Sequence, residues 1–594
     1  MRERTRSLPH CCGMNRRLES VRCTLIGLLL SCTRIAAAGV EIEIEGLEEE
    51  LETQARNNLE LAQYAERPLS PAQANRLFAK AQDEIRKSLE PFGYYHASVE
   101  GDLERADSAG DYRARFRVTL GEPVIVNRAD VVVEGSAVEL PAVRDALAKF
   151  EPRPGERLDH GAYERSKSNI TTLLQSNGYF DAELERHRVG VLRSARTADI
   201  DLKWTSGERY RFGEVTFSDV QFPEEFLQRF VPWEPDTFYS ADELLALQQR
   251  LVDADYFSSV SVQPDLERKG DGHVPIEATL VPAKRTIYTA GVHVSTDSGP
   301  GVHFGIERRW LNDRGHKAGV EVEYSQRLEE YSAFYRIPRP GRRNRNYNFA
   351  VGYRDQETDT STSRMARVAA SEVLDEWHGF ARTLGLQYLN GDFEIADEQS
   401  STSMLYAEAM LTRKRADDLL FPRRGISLVY GLRFGAESLL SDTSFVQLRA
   451  EAKWIRPATE QSRLILRAAL GGMVVDDFNA LPPELRFFAG GDRSIRGFGY
   501  ESIGETNERG GVIGGKYLAV ASAEYEYYFL KNWGAAVFVD AGDAYSSTFD
   551  ANVGAGIGLR WRSPVGLVRV DIATPIVSDL DDGIEFHIVI GPDL

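Results

Sequence analysis

Cysteine is absent from the chain beyond residue 32: Cys11, Cys12, Cys23 and Cys32 are all it has. That excludes a disulfide framework or a thiolate metal site in everything that follows. Long apolar runs are missing too. No segment past the leader approaches the roughly 18–20 consecutive apolar residues of a membrane-spanning helix. If the chain enters a membrane, it must do so as a closed barrel, the other structure that satisfies every backbone group in lipid. Histidines are few and scattered, with no H-E-x-x-H pair, and there is no G-x-S-x-G elbow. Gly510–Tyr517 has phosphate-loop spacing, but Tyr517 stands where a magnesium-holding Ser or Thr is needed. No catalytic residue, metal ligand set or cofactor is therefore expected.

Positive charge is also short, with 71 Lys and Arg against 90 Asp and Glu. Seven of the arginines sit in the leader. Arg16, Arg17 and Arg22 precede the apolar run Thr24–Leu30 and the small residues Ala36, Ala37 and Ala38, the pattern of a signal peptide cleaved after Ala38. Leu29–Cys32 also resembles a lipoprotein cleavage box. Removing residues 1–38, with seven arginines and two glutamates, takes the net charge from −19 to −24. An acidic exported chain argues against nucleic acid as a partner.

What is present is a threefold repeat followed by a change of period. The stretches 88–103, 173–188 and 250–266 align on Tyr94, Tyr179 and Tyr256, which are 85 and 77 residues apart. A helix precedes each tyrosine. Ser70 with Gln73 and Ser240 with Glu243 have capping-box spacing, and the second helix starts near Asp159. Ala74, Leu77, Ala81, Ile85 and Leu89 fall on one face of the first helix, and Tyr163, Ile170 and Leu174 on one face of the second. With flanking strands the unit is β-α-α-β-β.

From about Lys284 a period of two takes over. Val446, Leu448, Ala450, Ala452 and Trp454 oppose Gln447, Arg449, Glu451 and Lys453. Leu559 and Trp561 oppose Arg560 and Arg562; Val568, Val570 and Ile572 oppose Arg569 and Asp571; and Glu585 and His587 hold the minority face of the last segment. Apolar outside and charged inside is the lipid-facing barrel pattern. Sixteen strand-like segments share the tail at about nineteen residues each, which fits strands of about ten residues with turns and loops. Gly554–Gly558, "GAGIG", lies in a strand, where glycine relieves crowding. The expected fold is a transmembrane antiparallel β-barrel of sixteen strands preceded by three α+β domains: signal peptide 1–38, repeats 39–121, 122–206 and 207–283, and barrel 284–594.

The stretch Phe487–Gly504, "FFAGGDRSIRGFGYESIG", interrupts this pattern with glycines and arginines. Together with three repeats, "FVDAG" (Phe538–Gly542), "SPVG" (Ser563–Gly566) and the ending "GPDL", it resembles the outer-membrane insertase superfamily of the barrel-assembly machinery, and within it the translocation-and-assembly branch. The resemblance implies that the repeats are periplasmic polypeptide-transport-associated (POTRA) domains. It implies a chain that assembles or translocates outer-membrane proteins and autotransporters without chemical turnover. Its partners would be a TamB-like periplasm-spanning protein, unfolded outer-membrane protein clients and outer-membrane lipid. It also implies that Arg496, in the latch Arg496–Gly497–Phe498, folds into a wet lumen and meets Asp540. Strand parity puts Phe538, Asp540 and Gly542 on one side, in agreement. Gly490, Gly491, Gly497 and Gly499 would let the loop turn back. The alternative is a solvated extracellular hairpin that Arg496 merely decorates.

An insertase of this kind needs a barrel seam that opens. Gly291 in the middle of the first strand (285–296) and Gly591-Pro592 at the end of the last (583–591) are the expected weak points, because proline donates nothing to a ladder; Gly591-Pro592 is otherwise a frayed terminus. Positions 291 and 588 are expected to lie near each other across it. Two rivals share the superfamily: a two-partner-type secretion pore, which would carry two repeats and a plug helix, and a central barrel-assembly subunit, which would carry five. From another class, a passive porin or surface receptor would need no repeats.

Overall fold

The structure is a computed structural model describing residues 39–65, 67–105, 112–339, 345–418, 421–563, 566–578 and 583–591. The leader and the end of the chain, including Pro592, lie outside the described residues. Two compact units divide the chain. The first holds most of residues up to Thr205; the second holds Ser206 onward together with 135–137 and 172–183.

Each repeat folds as one small sheet behind two helices. In the first, strands Val40–Glu45, Ser98–Arg105 and Tyr112–Thr119 form a sheet in the order first, third, second, with first and third parallel and second and third antiparallel. The long helix Pro71–Leu89 buries Ala74, Leu77, Ala81, Ile85 and Leu89 against it. Its capping box is formed, Gln73 N donating to Ser70 Oγ at 3.4 Å and Ser70 N to Gln73 Oε1 at 3.1 Å. The second repeat has the same sheet order, and Asp159 Oδ1 caps its helix His160–Ser176 by accepting from Ala162 N at 2.9 Å. The third has it again, but Ser240 makes no side-chain bond to the helix Ala241–Asp253. The capping-box spacing of Ser240 and Glu243 is therefore not used, and Leu244, Leu247 and Leu251 hold that helix by burial.

Sixteen antiparallel strands, from Thr286–Ser295 to Glu585–Gly591, close into a barrel with each strand beside its sequence neighbour. The alternation decides the faces. Leu448, Leu559, Ile572 and Phe586 stand exposed on the outside, while Gln447, Arg560, Asp571 and His587 are buried. Among the described residues no helix is long and apolar enough to cross a membrane, which says nothing of a barrel.

Within the second unit, the third repeat docks directly on the barrel. Tyr256, the last of the aligned tyrosines, donates from Oη to the carbonyl of Gly315 in a barrel turn at 2.7 Å. Burial pushes its hydroxyl pKa up. Arg309 Nε donates to Asp255 Oδ2 at 2.9 Å and Lys317 Nζ to the carbonyl of Ala254 at 2.8 Å. Gly315 has φ +70°, and a Cβ there would lie 2.5 Å from the Tyr256 hydroxyl, so a side chain would break this contact.

Candidate functional site: a plugging loop and a short seam

Between strands Ser462–Val475 and Tyr517–Tyr527 the chain folds inward. Leu481, Leu485, Phe487, Ala489, Ile495, Phe498 and Ile503 pack against inner-wall residues such as Met365, Phe393, Met404 and Phe445. The loop's apolar side chains thus plug one arc of the lumen, while Arg496 itself sits among charged wall residues. The reason is visible in the loop: its apolar side chains find a matching apolar patch on one arc of an otherwise polar wall.

Arg496 is 3% exposed and fully engaged. Its Nε and Nη2 donate to Asp540 Oδ2 and Oδ1 at 2.7 and 3.1 Å, the two-pronged geometry that a guanidinium and a carboxylate share. Its own backbone N adds a third bond to Asp540 at 3.1 Å. Nη1 reaches Glu524 at 2.8 Å and Asp571 at 3.1 Å, and the guanidinium carbon sits 3.4 Å from the centre of the Phe538 ring. The network continues. Arg560 donates to Glu524, Glu526 and Asp571, Arg463 to Glu526 at 2.6 Å, and Arg467 to Asp540 at 3.4 Å. Four arginines and four carboxylates thus interlock, which is how charge is tolerated in a buried space.

The sequence pointed to Arg496 and Asp540; it missed Glu524, Glu526, Arg463 and Arg467. A signal existed, since Ser522, Glu524 and Glu526 alternate with apolar or aromatic residues in Tyr517–Tyr527. The glycines of "GAGIG" belong to this site. A Cβ on Gly554 would lie 1.9 Å from the carbonyl oxygen of Arg496, and one on Gly558 would lie 1.8 Å from Asp571 Oδ1. Of the loop glycines, Gly490, Gly491 and Gly497 have φ near +95°. Gly499 does not; its carbonyl lies where a Cβ on Gly490 would fall, 2.3 Å away. Phe498 is fully buried in the plug.

The seam between first and last strands is short. The first strand makes ten residue pairs with its other neighbour and the last strand seven, yet among the described residues they meet each other at one pair, Ser295 with Val589. On the side away from the seam, Gly291 pairs with His303 inside an unbroken ladder. Gly591 also pairs, with Leu567, as the last residue of its strand. Among the described residues the last strand has seven residues and is staggered so that Val589 meets the very end of the first strand. Across this register Ile588 faces Thr296, to whose Oγ1 it donates at 3.3 Å, and not residue 291.

Residues 311–593 match the Omp85 superfamily domain, 41–120 the "POTRA domain TamA domain 1", and 210–281 the "Surface antigen variable number repeat" of the POTRA type. The chain therefore belongs to the Omp85 superfamily with POTRA domains, a barrel in the outer membrane with its N-terminal domains in the periplasm. Among curated proteins it is 23% identical over 542 residues to the outer membrane protein assembly factor BamA of Neorickettsia risticii, covering 83% of this chain and 69% of that one. It is 24% identical over 225 residues to the human sorting and assembly machinery component 50 homolog, covering 36% of this chain and 47% of the relative. Among solved structures, BamA from Haemophilus ducreyi lacking POTRA domains 1–3 superposes with a TM-score of 0.65 at 18% identity, over 79% of this chain and 99% of that one. That likeness concerns the fold.

Proposed function

We propose that this chain assists the insertion or secretion of outer-membrane proteins and autotransporters by opening its barrel at the seam. The observation that carries the reading is that, among the described residues, a single residue pair joins the first and last strands. Each backbone hydrogen bond broken in lipid costs several kcal/mol, so a seam of about ten bonds would stay shut. One pair leaves the first strand's edge from Thr286 to Val294 free among the described residues to template a client strand. Clients folding into lipid supply the energy, with no chemical turnover.

The finer assignment is to the translocation-and-assembly branch. Three POTRA-like sheets and the match of residues 41–120 support it. On this reading a TamB-like protein docks on the first repeat, the domain limits are 39–121, 122–206, 207–283 and 284–594, and Arg496 with Asp540 is the latch that keeps the loop seated. The test reconstitutes the full chain in lipid vesicles and follows a denatured outer-membrane client becoming protease-resistant and heat-modifiable. Faster acquisition than in empty vesicles supports the proposal; equal rates reject it. A pull-down with residues 39–283 tests the periplasmic partner.

A further inference from the structure

At the one end where the seam is joined, a loop residue fastens it. The buried carboxylate of Asp492 accepts from Ser295 Oγ at 2.9 Å and from Thr296 Oγ1 at 2.6 Å. It also meets Nδ1 of His587 at 2.7 Å. Ser295 ends the first barrel strand, Thr296 follows it, and His587 lies in the last strand. One carboxylate thus holds both edges. Its backbone N donates to the Asp297 carboxylate at 3.2 Å, and Nε2 of His587 accepts from Gly497 N at 3.0 Å.

We infer that Asp492 is a positioning residue for the seam, so that the loop plugging the lumen also sets how readily the first and last strands part. The inference rests on the seam reading proposed above. Asp492 and Arg496 stand four residues apart on one loop. Arg496 ties that loop to Glu524, Asp540 and Asp571 on three wall strands, and Asp492 ties it to the seam. Whatever lifts the loop off the wall withdraws the clamp.

Asp297, Asp492 and His587 also have the donor set of a cation site, with ligand atoms all within 4.8 Å of one another. The hydrogen bonds argue otherwise. Nε2 faces the N–H of Gly497 and must carry the lone pair, so Nδ1 carries the proton and donates to Asp492. With the loop seated, neither ring nitrogen is left for a cation.

The test places cysteines at Val294 and Ile590 of the full chain in lipid vesicles. The register that Ser295 and Val589 set puts these two positions opposite each other, and both are exposed. Past residue 32 the chain has no other cysteine. The rate of disulfide formation at fixed oxidant then reports how often the edges meet. Asp492→Asn is expected to slow it about tenfold, the worth of one charge-assisted hydrogen bond, with heat-modified mobility unchanged. An unchanged or faster rate overturns the clamp. If that variant does not fold, Ser295→Ala with Thr296→Val removes the strand side of the clamp and leaves the loop intact, and the same outcomes apply. A rate that falls on chelation of divalent cations in the parent chain overturns the hydrogen-bonded clamp in favour of a cation site. Client insertion by the same variants separates the two claims. Slowed closure with insertion unaffected keeps the clamp and rejects the seam as the exit, whereas unchanged closure rejects the clamp alone.

Discussion

Arg496 has three carboxylate partners and an aromatic face, and its removal leaves buried negative charge without compensation. Arg496→Ala is expected to cost about 3–5 kcal/mol, read as a lower temperature at which heat-modified mobility is lost. Arg496→Lys keeps the charge but not the two-pronged geometry and should recover only part of that. Swapping charges, Arg496→Asp with Asp540→Arg, is not expected to restore the site, because Glu524 and Asp571 would then face a new carboxylate. Gly558→Ala places a methyl 1.8 Å from Asp571 Oδ1 and 2.5 Å from Arg560 Nη1; overpacking of this kind costs about 1–3 kcal/mol, measurable in the same melting series. At this scale the sequence was half legible. Arg496 and Asp540 showed themselves through motif and parity. Asp492 did not, since nothing local distinguishes an aspartate that decorates a loop from one that closes a ring between residues 295 and 587.

The elements divide into those that patterning determines and those that tertiary closure determines. The helix Pro71–Leu89 has both its apolar face and its cap written in order, so Ser70→Ala should cost about 1 kcal/mol. Ser240→Ala, where no cap bond forms, should cost less. Hydrogen exchange of the first turn of each helix in the full chain checks the difference. Tyr256→Phe removes the bond to Gly315 and should speed exchange at the third-repeat junction without unfolding the barrel. The strands were legible from their period of two and a short seam was expected, but the seam's register was not legible. Glycine and proline were the visible suspects; Gly291 and Gly591 pair on their other sides, and Pro592 lies outside the described residues. The deficit lies in the stagger of one short strand against the first, a property of ring closure that no local pattern carries.

For the whole molecule, the order of elements followed from repeat and period alone: three sheets of identical strand order and then a sixteen-strand closed barrel. The loop's place inside the lumen came from the resemblance its motif carries, with strand parity in agreement, and its apolar packing was not foreseen. What unites the site is that a single inward loop both balances the buried charge of the wall and reaches the weakest junction of the cylinder. The most direct measurement of that weakness is client insertion by the full chain with cysteines at positions 294 and 590, oxidised and then reduced. The account predicts that oxidation abolishes the acceleration and that reduction restores it. Undiminished insertion through a covalently closed seam would contradict it.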